Sequence, residues 1–173
     1  MTALAPRLAR YRLLLALAAG VLALDQASKL AIAAALPFNT FDAPGHIEIV
    51  PGFFNLAHVG NTGAAWSILS GRSPLLAILA LVALVGIFLF RRHIGLEQRA
   101  VQFSFGLLCG GIVGNLIDRL AYGHVVDFLD FRFGDYIYPT FNVADCGIVC
   151  GVGIYIFVSL FCPPRGQDET ASG

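Results

Sequence analysis

The 173-residue sequence has little charge for its length. Only 13% of its residues are Asp, Glu, Lys or Arg, whereas soluble domains carry about 25%. A chain with so little charge cannot cover a water-facing surface with polar groups, which argues against a soluble enzyme and against disorder. The formal net charge is zero. There is therefore no basic excess for nucleic acid, and we expect no nucleic-acid partner.

The sequence also lacks the patterns of a disulfide scaffold or a metal site. All four cysteines lie in or beside apolar runs: Cys109, Cys146, Cys150 and Cys162. Cys146 and Cys150 are four residues apart on a predicted helix, but no His or further Cys completes a ligand set. The four histidines have no metal-ligand spacing either: His46, His58, His93 and His124. We expect no metal and no cofactor, and cysteines that pack in membrane helices; a metal or redox role for the pair is the alternative.

Apolar residues, by contrast, make up 57% of the chain. They form four segments near the length of about 20 residues that crosses a bilayer. The segments are residues 13–36, 74–90, 100–117 and 141–162. The first follows Arg7, Arg10 and Arg12 as in a signal peptide, but its apolar pattern resumes at 30–36, so we expect it to remain uncleaved. The sequence predicts one four-helix membrane domain over 1–163 and a disordered cytoplasmic tail over 164–173.

The arginines predict the orientation of these spans, since basic residues gather on the cytoplasmic side. Most of them lie before span one, between spans two and three, or after span four: Arg7, Arg10, Arg12, Arg91, Arg92, Arg99 and Arg165. Both termini are therefore predicted to be cytoplasmic. Residues 37–73 and 120–140 become outer loops, and the first contains two short alternating runs around Pro51-Gly52 that predict a β-hairpin at the membrane surface.

Polar residues within the spans are costly in lipid and indicate function or mutual pairing. Asp25 and Lys29 lie on one face of a helix, either as a neutralising pair or as a direct substrate or lipid contact. Asn115 shares a face with Asp118 and Arg119, and these two could equally form a surface salt bridge. The segment that begins at Asn61, taken alone, could be an ordinary turn before a helix.

Two carboxyl groups near the predicted outer ends of spans three and four are candidates for acid–base chemistry. Asp127 lies in an apolar stretch of the second outer loop and Asp145 lies at the start of span four, whereas Asp130 and Asp135 have more polar surroundings and look solvated. Either aspartate alone could be a helix cap or an interfacial charge. Together they could share one proton and activate a water, because two adjacent carboxyls do not both ionise readily.

Five segments in order resemble the bacterial lipoprotein signal peptidases (signal peptidase II). They are Asp25-Gln-Ala-Ser-Lys29, Asn61-Thr-Gly-Ala-Ala-Trp66, Gly110-Gly-Ile-Val-Gly-Asn-Leu-Ile-Asp-Arg119, Val125-Val-Asp-Phe128 and Phe141-Asn-Val-Ala-Asp145. The resemblance implies an all-α membrane protein with four transmembrane helices, a small extracytoplasmic β-cradle and a second outer loop. It implies an aspartyl endopeptidase, without metal or cofactor, with Asp127 and Asp145 as catalytic dyad. The implied support residues are Asp25, Lys29, Asn61, Asn115, Arg119 and Asn142.

The resemblance also implies the substrate and the location. The enzyme would cut prolipoproteins on the N-terminal side of a diacylglyceryl-modified cysteine. It would do so as a monomer among the lipids of the bacterial inner membrane, with its active site near the outer face. The alternatives are a transporter that relays protons or cations through its carboxylates, and a membrane scaffold held by the small-residue pairs Gly110/Gly114 and Gly147/Gly151. The clustering of Asp127 and Asp145 at one end of the predicted bundle disfavours a transporter, and the polar motifs disfavour a scaffold.

The predicted orientation is open to a direct test. A tag joined to Gly173 should be reachable only from the cytoplasmic side, because the basic residues hold that end inside. Protease protection in spheroplasts measures this accessibility. A tag that is cut only from outside would contradict the orientation.

Overall fold

The computed structural model describes residues 9–40, 45–64, 66 and 68–161. Within them four helices are long and apolar enough to cross a membrane. They are α1 (Arg12–Ala35), α2 (Ser73–Phe90), α3 (Arg99–Tyr122) and α4 (Val143–Phe161). The four predicted spans are thus confirmed as helices. Arg7, Arg165, Cys162 and the predicted tail 164–173 lie outside the described residues.

Helix α3 is longer than the hydropathy predicted. The apolar segment ends at residue 117, but the helix continues to Tyr122. It ends at Gly123, which has a φ of 75° and donates its N–H to the carbonyl of Arg119, as is usual for a glycine after the last helical turn. Asp118 and Arg119 therefore lie inside a helix, where neighbouring side chains point in different directions.

Glycines let α3 approach two other helices closely. A Cβ at Gly110 would stand 2.7 Å from the carbonyl oxygen of Ala18 in α1, and one at Gly111 would collide with the carbonyl oxygen of Ala144 in α4. Small residues at such crossings allow backbones to pack without intervening side chains. Short polar side chains on α1, α3 and α4 can consequently reach each other.

An antiparallel sheet covers one end of the helices. Its strands are β1 (Ile47–Val50), β2 (Phe54–Asn61), β3 (Val125–Phe133) and β4 (Tyr136–Ile137), in that order. The predicted hairpin is confirmed as β1 and β2. The second outer segment, expected only as an aromatic loop, adds β3 and β4 to it. In this pairing Asn61 lies opposite Val125, and Val59 opposite Asp127.

A group of basic residues lies at the end of the bundle away from the sheet. Arg10 forms an ion pair with Glu97 at 2.7 Å, and Gln102 near the start of α3 donates to the carbonyl of Arg10 at 3.0 Å. The start of α1 thus meets the connection between α2 and α3, which carries Arg91, Arg92 and Arg99.

The close helix crossing at Gly111 predicts that alanine substitutions at two glycines will differ in their effect on protein stability. Gly111→Ala should lower the unfolding free energy by about 1–3 kcal/mol, the usual cost of overpacking. Gly153→Ala is the matched control, because a Cβ there meets nothing within 4 Å and alanine favours the helix. Thermal unfolding of both variants in detergent measures the effect, and equal stability would contradict the close packing.

Candidate active site

Asp127 and Asp145 come from different elements and meet through one amide. Asp127 lies on β3 and Asp145 in the first turn of α4. Asn142 donates its side-chain N–H to Asp127 Oδ1 at 2.6 Å and its backbone N–H to Asp145 Oδ2 at 3.2 Å. Since a single residue contacts both carboxyls, the two predicted catalytic groups lie next to each other.

The start of α4 explains how Asp145 is oriented. Asn142 Oδ1 accepts a hydrogen bond from the backbone N–H of Asp145 at 2.9 Å, while the Asp145 carboxylate reaches back to the backbone N–H of Asn142. This reciprocal pair follows the logic of a capping box and satisfies two N–H groups at the helix start. Asp145 is therefore a helix cap as well as a member of the pair. Its second oxygen accepts from Asn115 Nδ2 at 2.8 Å.

Asp127 is held by β2 and is almost fully buried, with 2% of its surface exposed. Asn61, the last residue of β2, donates its Nδ2 to Asp127 Oδ2 at 2.9 Å. Burial raises the pKa of Asp127 to about 7, and the charge of Asp145 adds to the rise. Hydrogen bonds from Asn61 and Asn142 stabilise the carboxylate and limit this increase. Near neutral pH the pair can therefore keep one proton.

Lys29 lies behind the pair and connects three oxygens. Its ammonium donates to Asp25 Oδ2 at 2.8 Å, Asp118 Oδ2 at 2.8 Å and Asn115 Oδ1 at 2.9 Å. The predicted Asp25–Lys29 pair thus exists, within a larger network. Because Asn115 accepts from Lys29, its amide N–H group points to Asp145. Lys29 consequently orients the dyad through Asn115 without touching it.

Asp25 ties α1 to the start of α4. Its side chain is completely buried, and its Oδ1 accepts the backbone N–H of Ala144 at 2.9 Å. Ala144 precedes Asp145, so the carboxylate of Asp25 caps the same helix start that carries the second aspartate. A negative group at a helix N-terminus is favourable because the first N–H groups have no partner within the helix.

Asp118 is a site residue that was not among the support residues predicted from the sequence. The surface salt bridge with Arg119, one of the two alternatives that the sequence left open, does not form; Asp118 is 1% exposed and pairs with Lys29 instead. Its Oδ2 also accepts the backbone N–H of Val126 at 3.1 Å, next to Asp127. The three-residue spacing from Asn115, which puts both on one helix face, was the signal that could have identified this role.

Arg119 connects α3 to the turn after β2. Its guanidinium donates to the carbonyl oxygens of Gly63 at 3.0 Å and Asn115 at 3.3 Å. Its buried Nε has no partner among the described residues. All eight predicted site residues are therefore brought together in one network. Asp118 also belongs to it, as does Gln26, whose Nε2 donates to Asp118 Oδ1 at 3.0 Å and to Asp25 Oδ2 at 3.2 Å.

The prediction for Asp130 was wrong. It was expected to be solvated, as Asp135 is, but its side chain is fully buried. It accepts from Arg132 Nε at 2.9 Å and from Asn55 Nδ2 at 3.1 Å. The strand β3 explains the difference, since its pairing with β2 encloses Asp130 opposite Asn55. Across the part of the chain that the structure describes, no cluster of His, Cys, Asp and Glu could hold a metal ion.

Comparisons with known proteins agree with this architecture. A family model described as signal peptidase (SPase) II matches residues 17–161. A lipoprotein signal peptidase of Desulforapulum autotrophicum is 39% identical over 82% of this chain and 87% of its own length. One of Nitratidesulfovibrio vulgaris is 37% identical over 92% and 98%. A solved bacterial membrane enzyme has a TM-score of 0.76 and 30% identity, covering 89% of this chain and 93% of its own.

The hydrogen bond from Asn61 predicts a measurable shift in titration. Asn61→Ala removes a donor that stabilises ionised Asp127, so the pKa of this carboxyl should rise further above about 7. A rise of about one unit corresponds to ~1.4 kcal/mol, the scale of a hydrogen bond to a charged group. The pKa is measured by infrared titration of the Asp127 carboxyl band, which is identified by its absence from the spectrum of Asp127→Asn.

The control for this titration is Asn39→Gly. Asn39 bonds to the backbone N–H of Gly60, beside Asn61, and glycine tolerates its φ of 56°. This variant should leave the titration midpoint unchanged. An unchanged midpoint in Asn61→Ala would show that this amide does not stabilise the carboxylate.

Proposed function

The chain belongs to the signal peptidase II family, and we propose that Asp127 and Asp145 are its catalytic dyad. It is an aspartic-type peptidase that removes signal peptides from prolipoproteins. The observation that supports the dyad is the contact of both carboxyls with Asn142, at 2.6 Å and 3.2 Å. Carboxyls that close share a proton near neutral pH, which supplies an acid and a base together.

The pair performs the hydrolysis in two steps. The ionised carboxylate takes a proton from a water, whose oxygen attacks the scissile carbonyl carbon. The protonated carboxyl donates a hydrogen bond to the carbonyl oxygen and favours the tetrahedral intermediate. A proton then passes to the leaving nitrogen as the C–N bond breaks. The base and the acid are assigned to the dyad as a unit, because the two groups titrate together. These steps need neither a covalent intermediate nor a metal.

The surrounding residues keep the dyad in this state. Asn61 and Asn142 hold Asp127, and Asn115 holds Asp145, so each carboxyl has a fixed orientation. The ammonium of Lys29 supplies positive charge at short range. Asp25 and Asp118 fix that ammonium and anchor the backbone next to each catalytic residue. Orientation of this kind lowers the cost of reaching the reactive geometry.

The position of the dyad suits a substrate in the membrane. A signal peptide is an apolar helix in the bilayer, and the cysteine after the cut carries diacylglyceryl chains. The dyad lies at the sheet end of the helices, where water and lipid meet. Exposed aromatic side chains such as Trp66 and Tyr138, which contact each other edge to face, belong at such an interface. The bond N-terminal to the lipidated cysteine would lie at this depth.

The proposed location is the bacterial inner membrane. The arginine-rich end, with both termini, faces the cytoplasm, and the sheet and dyad lie near the outer face. The enzyme acts as a monomer surrounded by lipid, since one chain supplies both aspartates and the partners described above.

Removal of either carboxyl charge should abolish cleavage. Asp127→Asn and Asp145→Asn should each lower the rate by at least the ~10²–10⁴-fold attributed to acid–base catalysis. Asn115→Ala should reduce it less, because this residue only orients Asp145. Cleavage of a diacylglyceryl-modified precursor peptide by purified, membrane-inserted protein is the measurement.

Asp135→Asn is the matched control, because this aspartate is exposed; it should cleave at the normal rate. Near-normal cleavage by Asp127→Asn or Asp145→Asn would remove that residue from the dyad. Loss of wild-type activity with a chelator would contradict the metal-free mechanism, and ion flux without cleavage would favour a transporter.

A further inference from the structure

A cavity of about 600 Å³ lies between the first turns of α1 and α3, at the end of the bundle away from the sheet. Its volume lies within the ~300–1,000 Å³ typical of small-ligand sites. Three arginines and one acid contribute to its wall, namely Arg10, Arg12, Arg99 and Glu97. The cavity shares no residue with the dyad or with the network around Lys29, so the proposed reaction does not account for it.

The charged groups in this wall do not cancel each other. Arg10 is already paired with Glu97 at 2.7 Å. Arg12 and Arg99 are exposed, and neither guanidinium has a hydrogen bond or an ion pair with a described residue. Each guanidinium offers five N–H donors in a planar fork that matches the oxygens of a phosphate or a carboxylate. The cavity therefore has two uncompensated positive charges, and these favour an anion as its occupant.

The two helix starts add positive potential at the same place. Arg12 is the first residue of α1 and Arg99 is the first residue of α3, and neither helix has a side-chain cap or an acid in its first turn. The first N–H groups of a helix have no partner within it, and a positive side chain beside them is unfavourable. The start of α4, by contrast, carries Asp145. An anion between Arg12 and Arg99 would compensate both the guanidinium groups and the helix starts.

The apolar part of the wall indicates which kind of anion reaches the cavity. Leu13 lines it, is 37% exposed and begins the apolar stretch of a helix long enough to span a membrane. The cavity thus lies at the boundary between headgroups and acyl chains. The headgroup of phosphatidylcholine carries an ammonium that cancels its phosphate charge, whereas that of phosphatidylglycerol has a net negative charge. Two free guanidinium groups favour the anionic lipid.

We propose that this cavity binds the headgroup of an anionic phospholipid. The phosphate lies between Arg12 and Arg99 and accepts hydrogen bonds from both guanidinium groups. The acyl chains remain in the bilayer beside Leu13. The ion pair with Glu97 limits the positive charge of the site, because it occupies Arg10. Such a site depends on particular arginines, unlike a general attraction of basic residues to an anionic membrane surface.

Native mass spectrometry of the purified full chain measures the binding of phosphatidylglycerol and phosphatidylcholine with identical acyl chains. One phosphatidylglycerol should be retained about 25-fold more strongly, because each arginine beside an anionic headgroup contributes about fivefold. Arg12→Gln and Arg99→Gln should each lower this preference to about fivefold. Glu97→Gln should raise it about fivefold, since this variant frees Arg10 to bind the phosphate.

The matched control is Arg92→Gln. Arg92 is exposed at the same end of the bundle but does not line the cavity. This variant therefore removes the same charge and should retain the full preference. Inorganic phosphate distinguishes a lipid site from a site for free anions. In about tenfold excess over the lipid it should not displace phosphatidylglycerol, because the acyl chains add to the binding of the lipid alone.

Equal retention of the two lipids by the unmodified chain would overturn the proposal. The same holds for equal losses in Arg92→Gln and Arg12→Gln, for an unchanged preference in Glu97→Gln, and for displacement of the lipid by inorganic phosphate. Two further acids, Asp168 and Glu169, lie outside the described residues. A preference that appears only in the double variant Asp168→Asn, Glu169→Gln would assign the cavity to the chain's own tail instead of a lipid.

Discussion

The buried ammonium of Lys29 is the interaction on which the rest of the site depends. A charge inside a membrane protein is costly unless it is paired and fully hydrogen-bonded, and Lys29 has three oxygen partners from α1 and α3. Each partner has a second role. Asp25 caps the start of α4, Asp118 anchors β3, and Asn115 holds Asp145. One electrostatic requirement therefore determines where both catalytic elements meet the helices.

Burial has a different consequence for each kind of charged group in this network. The buried ammonium of Lys29 has to remain paired, whereas burial raises the pKa of the Asp127 carboxyl to about 7. The amides of Asn61 and Asn142 then limit that rise, because they stabilise the ionised form. The dyad can accordingly hold one proton and one negative charge under the same conditions. Close helix packing at Gly110 and Gly111 is needed for this arrangement, because the polar side chains are short.

Prediction from sequence succeeds here where the signal is local or belongs to a family. The apolar segments predict the four long helices of the described residues, and Pro51-Gly52 between alternating runs predicts the first hairpin. The five motifs identify Asp127 and Asp145 as candidates. Asp130 was misassigned and the role of Asp118 stayed open, because the surroundings of both arise from distant parts of the chain. Asp118 faces Lys29 of α1, and Asp130 is enclosed when β3 pairs with Asn55 of β2.

The sequence by itself determined the membrane environment, the spans, the basic end and the family. These properties follow from composition, hydropathy and motifs that are read along the chain. Only the tertiary structure decided which polar groups meet: Asn142 between the two carboxyls, and Lys29 behind Asn115. The physical reason is that hydrogen bonds and ion pairs depend on distances of about 3 Å. Such distances are set by packing between elements far apart in sequence.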